Sequence, residues 1–554
     1  MIPKRAALAA IVLVALTACP KETPPGASPT SQAPPAVEGG TVRVLLTDDV
    51  DSLDPQHMGN PSSYGIARTL YRGLMAFPPA AGEAGAMPVP DLAAAPPDVS
   101  TDRITYTFHL RAGVAFGPPA SRAITADDVK GSLGRIFAAG SPLASYYRVI
   151  AGVTAPDPET VVIRLVRPTN DLLWLLALPP ASVVPVGLPA FPQAAEISPS
   201  GPYRLAASDG YQPERGIHLV RNQAWMKASD PVRKAWVDEI RVTIGLAPEA
   251  IRQRIARGDA DLSGSELPPL PAASASAPAT GSPPGSPSAP SSPSSAGPPV
   301  VRAPNGCVRY LFMNTRVAPF SSQRVRAAVS MALNRGAITA TYGLAATPAD
   351  AILPPSVDGF DPARPVPSAD ARSAKAKLKG AGYAKGFTTT LVVGDQPADR
   401  AQAAFVRSGL ARAGVHVRVQ VVPIALLYED HYERPAAATP MGIATWCADW
   451  PGLGGRGALQ PLVDGRSLGA RGNTDYAFFN NASVDRRMDV ASAAEGAAAA
   501  SAWANADSLA TSLAAVVPLA YLQEESSLGA RIMGFVPHPF FTHGDLTALW
   551  LKPA

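Results

Sequence analysis

Asp449 stands between two indoles in the run Trp446-Cys447-Ala448-Asp449-Trp450-Pro451. A carboxylate fixed in a dry cleft can hold an ammonium group, because a charge-assisted hydrogen bond is stronger than a neutral one. It also discriminates, since a solute lacking the cation leaves a desolvated anion unpaired. Trp446 and Trp450 would add apolar wall and one N–H donor each. The residues alone equally admit a solvated aspartate or a helix cap beside two core tryptophans. Cys447 and Cys307 are a second pair able to do chemistry, either as a disulfide or as two buried thiols. Seven histidines are scattered. His431 lies in the run Glu429-Asp430-His431-Tyr432-Glu433, and His538 and His543 bracket Pro-Phe-Phe-Thr; neither arrangement has metal-ligand spacing. No Gly-x-Ser-x-Gly elbow, His-Glu-x-x-His or Walker loop is present. The chain is therefore read as a non-enzyme without metal or cofactor.

The N-terminus fixes the compartment. Lys4 and Arg5 precede an apolar run from Ala6 to Ala15, and Leu16-Thr17-Ala18-Cys19 closes an 18-residue leader. Positive, apolar and small-residue regions in that order make a secretory signal. Ending as it does, the leader resembles a bacterial lipoprotein signal, which implies cleavage before Cys19 and acylation of its thiol. The apolar run is shorter than the roughly 20 residues a membrane span needs. The expected location is the outer face of the cell membrane, held by lipid. Outside the cytoplasm, Cys307 and Cys447 can be oxidised. Removing Lys4 and Arg5 with the leader lowers the formal charge from +4 to +2, a balance that excludes nucleic acid as the main partner.

The elements that must position these residues alternate between strand and helix, so the class is α/β. Strand patterns fall at Thr41–Leu46, Thr105–Leu110, Val161–Leu165, Thr388–Val393 and the alternating Val415–Val421. Thr125 is the expected N-cap of a helix whose buried face carries Val129, Leu133, Ile136 and Phe137. Ser321 caps a helix over 322–335; others follow at 371–382, 398–413 and 484–515, the last broken near Gly496. Residues 19–39 form a Pro-rich tether. Residues 268–299 form an insert with 11 prolines, 9 serines and no charge, a composition that cannot bury a core.

Several segments then read together: Ser52-Leu53-Asp54-Pro55, Thr69 to Leu74, Phe108 to Val114, Thr125 to Leu133, Gly201 to Leu205, Arg221 to Trp225, Arg324 to Ala328, Ala381-Gly382-Tyr383 and Trp446 to Pro451. Their order and spacing resemble the extracytoplasmic solute-binding proteins of the peptide, dipeptide and nickel uptake family. The similarity runs from Gly40 to the C-terminus apart from the insert. It implies a two-lobe, type II periplasmic-binding-protein-like fold of the large peptide-binding class. Lobe I would comprise 40–76, 198–305 and 524–554, with an extra subdomain at 77–197; lobe II would comprise 306–523. In oligopeptide-binding members the aspartate of a Trp-Cys-Ala-Asp segment pairs with the peptide α-amino group, which implies that role for Asp449. Cys307 and Cys447 match positions that are disulfide-linked in some members. Trp446, Trp450 and Tyr476 complete the expected ligand-binding set. Main-chain pairing with a bound peptide is expected near Gly40–Leu46 and Tyr476–Asn480. Gly452, Gly454 and Gly455 depart from the acid and proline many relatives carry after Pro451.

The function so implied is a lipid-anchored, monomeric receptor that captures peptides by hinge closure and delivers them to the permease of an ABC importer. A sensor or interaction lipoprotein that kept the fold, and a receptor for nickel, haem, a sugar or an opine, are the alternatives. A secreted hydrolase has only the compartment in its favour.

Overall fold

Alternating valines build the first sheet. Val42 and Val44 point into the core from the strand Thr41–Leu45, while Arg43 points out to Asp261. That strand is central: Glu239–Thr243 pairs with it in parallel on one side and Leu262–Ser263 on the other. Gly216–Arg221 and Tyr203–Leu205 extend the sheet antiparallel. The computed structural model describes residues 35–138, 140–265, 267, 300–343 and 345–553. The leader, Cys19, the tether as far as residue 34 and the insert at 268–299 lie outside the described residues.

A four-stranded antiparallel sheet (Asp98–Val99, Thr105–His109, Thr160–Leu165 and Ile150–Asp157) forms between the first and later strands of the main sheet. The helix Ala126–Ala138 packs on it through Val129, Leu133 and Ile136. Phe137, expected on the same face, is instead exposed. At the helix start the Thr125 hydroxyl donates to Asp128, which also accepts from the Thr125 N–H. Asp128 is thus the acceptor that caps this end.

The second sheet orders Ala346–Pro348, Val516–Ser527, Val300–Met313, Met441–Cys447, Phe387–Gly394 and Val415–Val422. Its edge strand Val415–Val422 alternates buried and exposed residues at its start, as its sequence predicts. Residues 371–380 and 397–412 form the expected helices. The helix expected over 322–335 is shorter, Gln323–Ala332, with Ser322 at its N-cap, and a second begins at Arg335. The long alanine-rich run divides into Ala482–Ala493 and Gly496–Ser512, with Gly496 at a φ of +50°. That left-handed region costs glycine little.

The two sheets are linked by the pairing of two long strands. Val300–Pro304 runs beside Gln523–Ser527, and the same two strands pair again at Val308–Phe312 with Val516–Tyr521 inside the second sheet. Beyond Ser527, Leu528 bridges Leu262 at the edge of the first sheet. The chain thus crosses twice between the two sheets at one place, as the two-lobe arrangement expected from the sequence requires.

Candidate functional site

The strand Met441–Cys447 carries Trp446 and Cys447 at its end. Cys447 lies directly opposite Cys307 on the paired strand, and the two are joined as a disulfide. The chain leaving this bridge presents Asp449 at the foot of a short loop. The bridge restrains that foot, because one end of the loop is tied covalently to the central strand of the sheet.

Asp449 is half-buried, and its carboxylate accepts a hydrogen bond of 2.5 Å from the Tyr146 hydroxyl. Tyr146 belongs to the helix Ala144–Tyr147, packed with the antiparallel sheet of the first lobe. The site therefore joins two segments far apart in sequence. Burial pushes the Asp449 carboxyl from its ordinary 3.8 up to about 7; the Tyr146 hydroxyl and the Arg456 charge pull it down by less. Burial and then the Asp449 charge raise the Tyr64 phenol, which places this residue of the helix Pro61–Leu70 in the same electrostatic neighbourhood.

Trp450 is fully buried. Its indole joins the hydrophobic cluster of the antiparallel-sheet region and meets the Tyr146 ring edge-on, centroids 4.8 Å apart. Such an aromatic pair adds to area burial. Trp446 is half-buried, donates its indole N–H to the Gly457 carbonyl at 2.9 Å, and packs against the second lobe's core. Tyr476 lies within that core, among the rings of Phe312, Tyr428 and Tyr432. The structure thus brings Asp449 and Trp450 together against Tyr146, while Trp446 bonds Gly457 and Tyr476 lies among the core aromatics.

Three residues that the sequence did not single out complete the arrangement: Tyr146, Asp171 and Arg456. Arg456, from the helix Gly455–Val463, grips both carboxylate oxygens of Asp171 at 2.6 and 3.0 Å and donates to the Tyr146 carbonyl at 3.2 Å. Its guanidinium lies 5.3 Å from the Tyr146 ring centroid and 5.6 Å from that of Trp450. An arginine inside a mostly apolar helix, and an aspartate opening the apolar run Leu172–Leu176, are signals that each needs a partner.

The main-chain groups of Thr41–Leu45 are used on both edges, and Leu46 donates to Thr243, so this segment has no free edge for an added strand. Around 476–480 the Ala477 and Phe478 carbonyls accept from Thr315, and Phe479 N–H donates to Asp475. These are the expected pairing segments, and the backbone groups just named already have partners. Met441–Cys447 pairs with Phe387–Gly394 only at Met441 and Gly442, and beyond them the Tyr432 hydroxyl donates to the Ile443 carbonyl.

The histidines have structural surroundings. His538 Nδ1 accepts from the N–H groups of Phe540 and Phe541, and its Nε2 donates to the Pro78 carbonyl. Among the described residues no three His, Cys, Asp or Glu side chains gather as a metal site, and no helix is long and apolar enough to cross a membrane.

Residues 87–453 match the model of the bacterial extracellular solute-binding proteins, family 5. The glutathione-binding protein GsiB of Salmonella typhimurium (strain LT2) is 26% identical over 482 residues, covering 82% of this chain and 84% of that protein. Among solved structures, the clavulanic acid biosynthesis oligopeptide binding protein 2 superposes with a TM-score of 0.81 at 26% identity, covering 93% of this chain and 96% of that one. The periplasmic binding protein DppA from Helicobacter pylori, solved in complex with the peptide STSA, gives 0.71 at 20% identity, covering 93% and 99%, and shares the fold.

Proposed function

Because the chain belongs to the bacterial extracellular solute-binding proteins of family 5, we propose that it is the lipid-anchored receptor of an ABC importer that captures peptides and passes them to the permease. The observation that carries this reading is Asp449: a carboxylate on the second lobe, facing a first-lobe hydroxyl, with no arginine or lysine bonded to it among the described residues. A peptide α-ammonium would replace the Tyr146 hydroxyl as its donor, and a full charge pair in a desolvated place is the stronger bond. Trp446 and Trp450 shape the wall behind Asp449, and Tyr476 supports it through the second lobe's core.

Capture works by closure about the paired strands at 300–304 and 523–527. Ligand touching both lobes favours the closed form, since equal affinity for open and closed forms shifts nothing. The lobes take 40–305 with 524–554, and 306–523, with the region 77–197 as the subdomain that carries Tyr146. Acylated Cys19 holds the body at the outer face of the membrane. The relatives' named ligands, glutathione and the peptide STSA, are peptidic and support this solute class. Native mass spectrometry of protein isolated from its host tests the reading. A retained peptide and a Cys19-linked lipid are expected; a retained sugar, opine or metal chelate, or an unmodified Cys19, would overturn the corresponding part.

A further inference from the structure

A cavity of about 260 Å³ lies beside the loop that follows Asp449. Its walls come from segments far apart in sequence: the helix Gly82–Ala86 with Met87, residues 303–304 of a crossing strand, residues 355–358, Gly452, and residues 537 and 539. That volume is below the roughly 300–1,000 Å³ of a drug-sized pocket and suits one long side chain or a small ion. Gly452 fixes the arrangement. Its N–H donates to the Ser356 carbonyl at 2.9 Å, and its carbonyl accepts from the Asp358 N–H at 2.8 Å. On its other side a Cβ would lie 3.1 Å from Trp174 Nε1 and 3.3 Å from the Ala86 carbonyl, two groups that are themselves bonded at 2.9 Å. With φ at +66° and so little room, glycine suits this place. The backbone at 452 thus fastens the segment bearing Asp358 to the helix bearing Glu83.

The chemistry of the wall is one-sided. Pro304, Pro355, Pro537 and Pro539 have no N–H to offer. The ionisable lining residues are half-buried Asp358 and exposed Glu83, and among the described residues neither carboxylate is paired with an arginine, lysine or histidine. Burial and then the Glu83 charge raise the Asp358 carboxyl above its ordinary 3.8, so the two acids feel each other. One cation between them relieves both, whereas an anion meets its own sign. A long basic side chain can lay its methylenes on Met87 and the prolines and present its charged head to the acids.

We propose that this cavity is a subsite for an organic cation, a guanidinium or primary ammonium group held by Asp358 and Glu83. The proposal deepens the peptide-receptor reading and rests on it only for the source of that group. The three-residue step from Asp449 to Gly452 spans at most about 11 Å. A short peptide whose amino end meets Asp449 therefore has this cavity within reach of an arginine or lysine side chain. Asp358 and Glu83 are then specificity-determining residues that favour basic peptides over neutral ones. A free organic cation offers the same head group.

Titration calorimetry on the full chain tests this with two probes. The first is a set of tripeptides with free amino ends, carrying at one position either arginine or citrulline, its uncharged counterpart. For at least one position the arginine peptide is expected to bind about tenfold or more tightly than its citrulline twin, the scale of a hydrogen bond to a charged group. Asp358→Asn and Glu83→Gln should each reduce that ratio, and together they should bring it close to one. A misfolded fraction weakens both twins alike, so the ratio stays readable if Asp358→Asn is less stable. The second probe is Nα-acetyl-arginine amide, which has the guanidinium and no free amino end. Its binding to wild type, lost in the double variant, would identify a free organic cation as an occupant. An arginine preference confined to the peptides would identify the solute's own side chain. Equal binding of arginine and citrulline peptides at every position, with no binding of the acetylated amide, would overturn the proposal. So would an arginine preference that survives the double variant. If peptides of neither kind bind, the peptide-receptor reading fails and the acetylated amide alone decides the cavity.

Discussion

Tyr146 and Asp449, 303 positions apart in sequence, meet through a 2.5 Å hydrogen bond from phenol to carboxylate. Tyr146→Phe removes the donor and leaves a partly desolvated acceptor. The loss should be about 1–3 kcal/mol at pH 8, where the carboxyl is ionised. It should be smaller at pH 6, where the carboxyl is protonated and demands less. Denaturant melts of the unliganded variant at both pH values check this; an equal loss at both would contradict it.

The pH dependence of solute binding follows from the same carboxyl. With its pKa raised to about 7, Asp449 is mostly neutral at pH 6 and mostly anionic at pH 8. Peptides with a free amino group should bind more tightly as pH rises from 6 to 8, approaching tenfold per unit below the midpoint. Unliganded stability moves the other way. The folded pKa exceeds the ordinary 3.8, so the Asp449 contribution is complete below 3.8 and lost as pH rises through about 7. Calorimetric titrations across this range check the first statement, and a flat profile would contradict it.

His538 and His543 set an acid limit. Burial holds both pKa values near 4 instead of 6.5, so they are neutral in the folded protein while the unfolded chain protonates first. Their contribution to stability is complete above about 6.5 and is lost as pH falls from 6.5 to 4. His538→Gln should flatten the fall in melting temperature over that window. A slope identical to the wild type would show that His538 plays no part in it.

The Cys307–Cys447 bridge closes a loop of sequence separation 140 next to Asp449. Reduction should lower stability by about 2–4 kcal/mol. It should also weaken solute binding, since the foot of the Asp449 loop loses its covalent restraint. Melts and titrations with and without reductant measure both effects; unchanged binding after verified reduction would mean that the strand pairing alone positions the loop.

Trp450→Ala should cost about 3–5 kcal/mol, the range for emptying a buried aromatic site. The full burial of its indole among first-lobe residues motivates this value. A loss below 1 kcal/mol by chemical denaturation would mean that the surrounding cluster closes over the gap.

Local patterns were legible in the sequence. The alternation of Val415–Val422, the division of the alanine-rich run before Gly496 and the placing of cysteines on neighbouring strands all follow from periodicity, backbone freedom and family likeness. Phe137 shows the limit: its helical spacing suits a buried face, yet in the fold it stands exposed near the end of its helix. The expected pairing segment Gly40–Leu46 failed for a related reason, since sequence shows that a residue is in a strand and not whether that strand is central. Arg456 and Asp171, 285 positions apart, could be seen singly as charges in apolar surroundings. Only the folded chain shows that each is the other's partner.

The most direct measurement is the thermal shift given by a tripeptide library with free amino termini, compared with the same library N-acetylated, on wild type and Asp449→Asn. A marked rise in melting temperature is expected for wild type with free amines alone, and little or none for Asp449→Asn. Equal shifts with free and acetylated libraries, or an undiminished shift in Asp449→Asn, would contradict the assignment of Asp449 as the anchor for a positively charged peptide end.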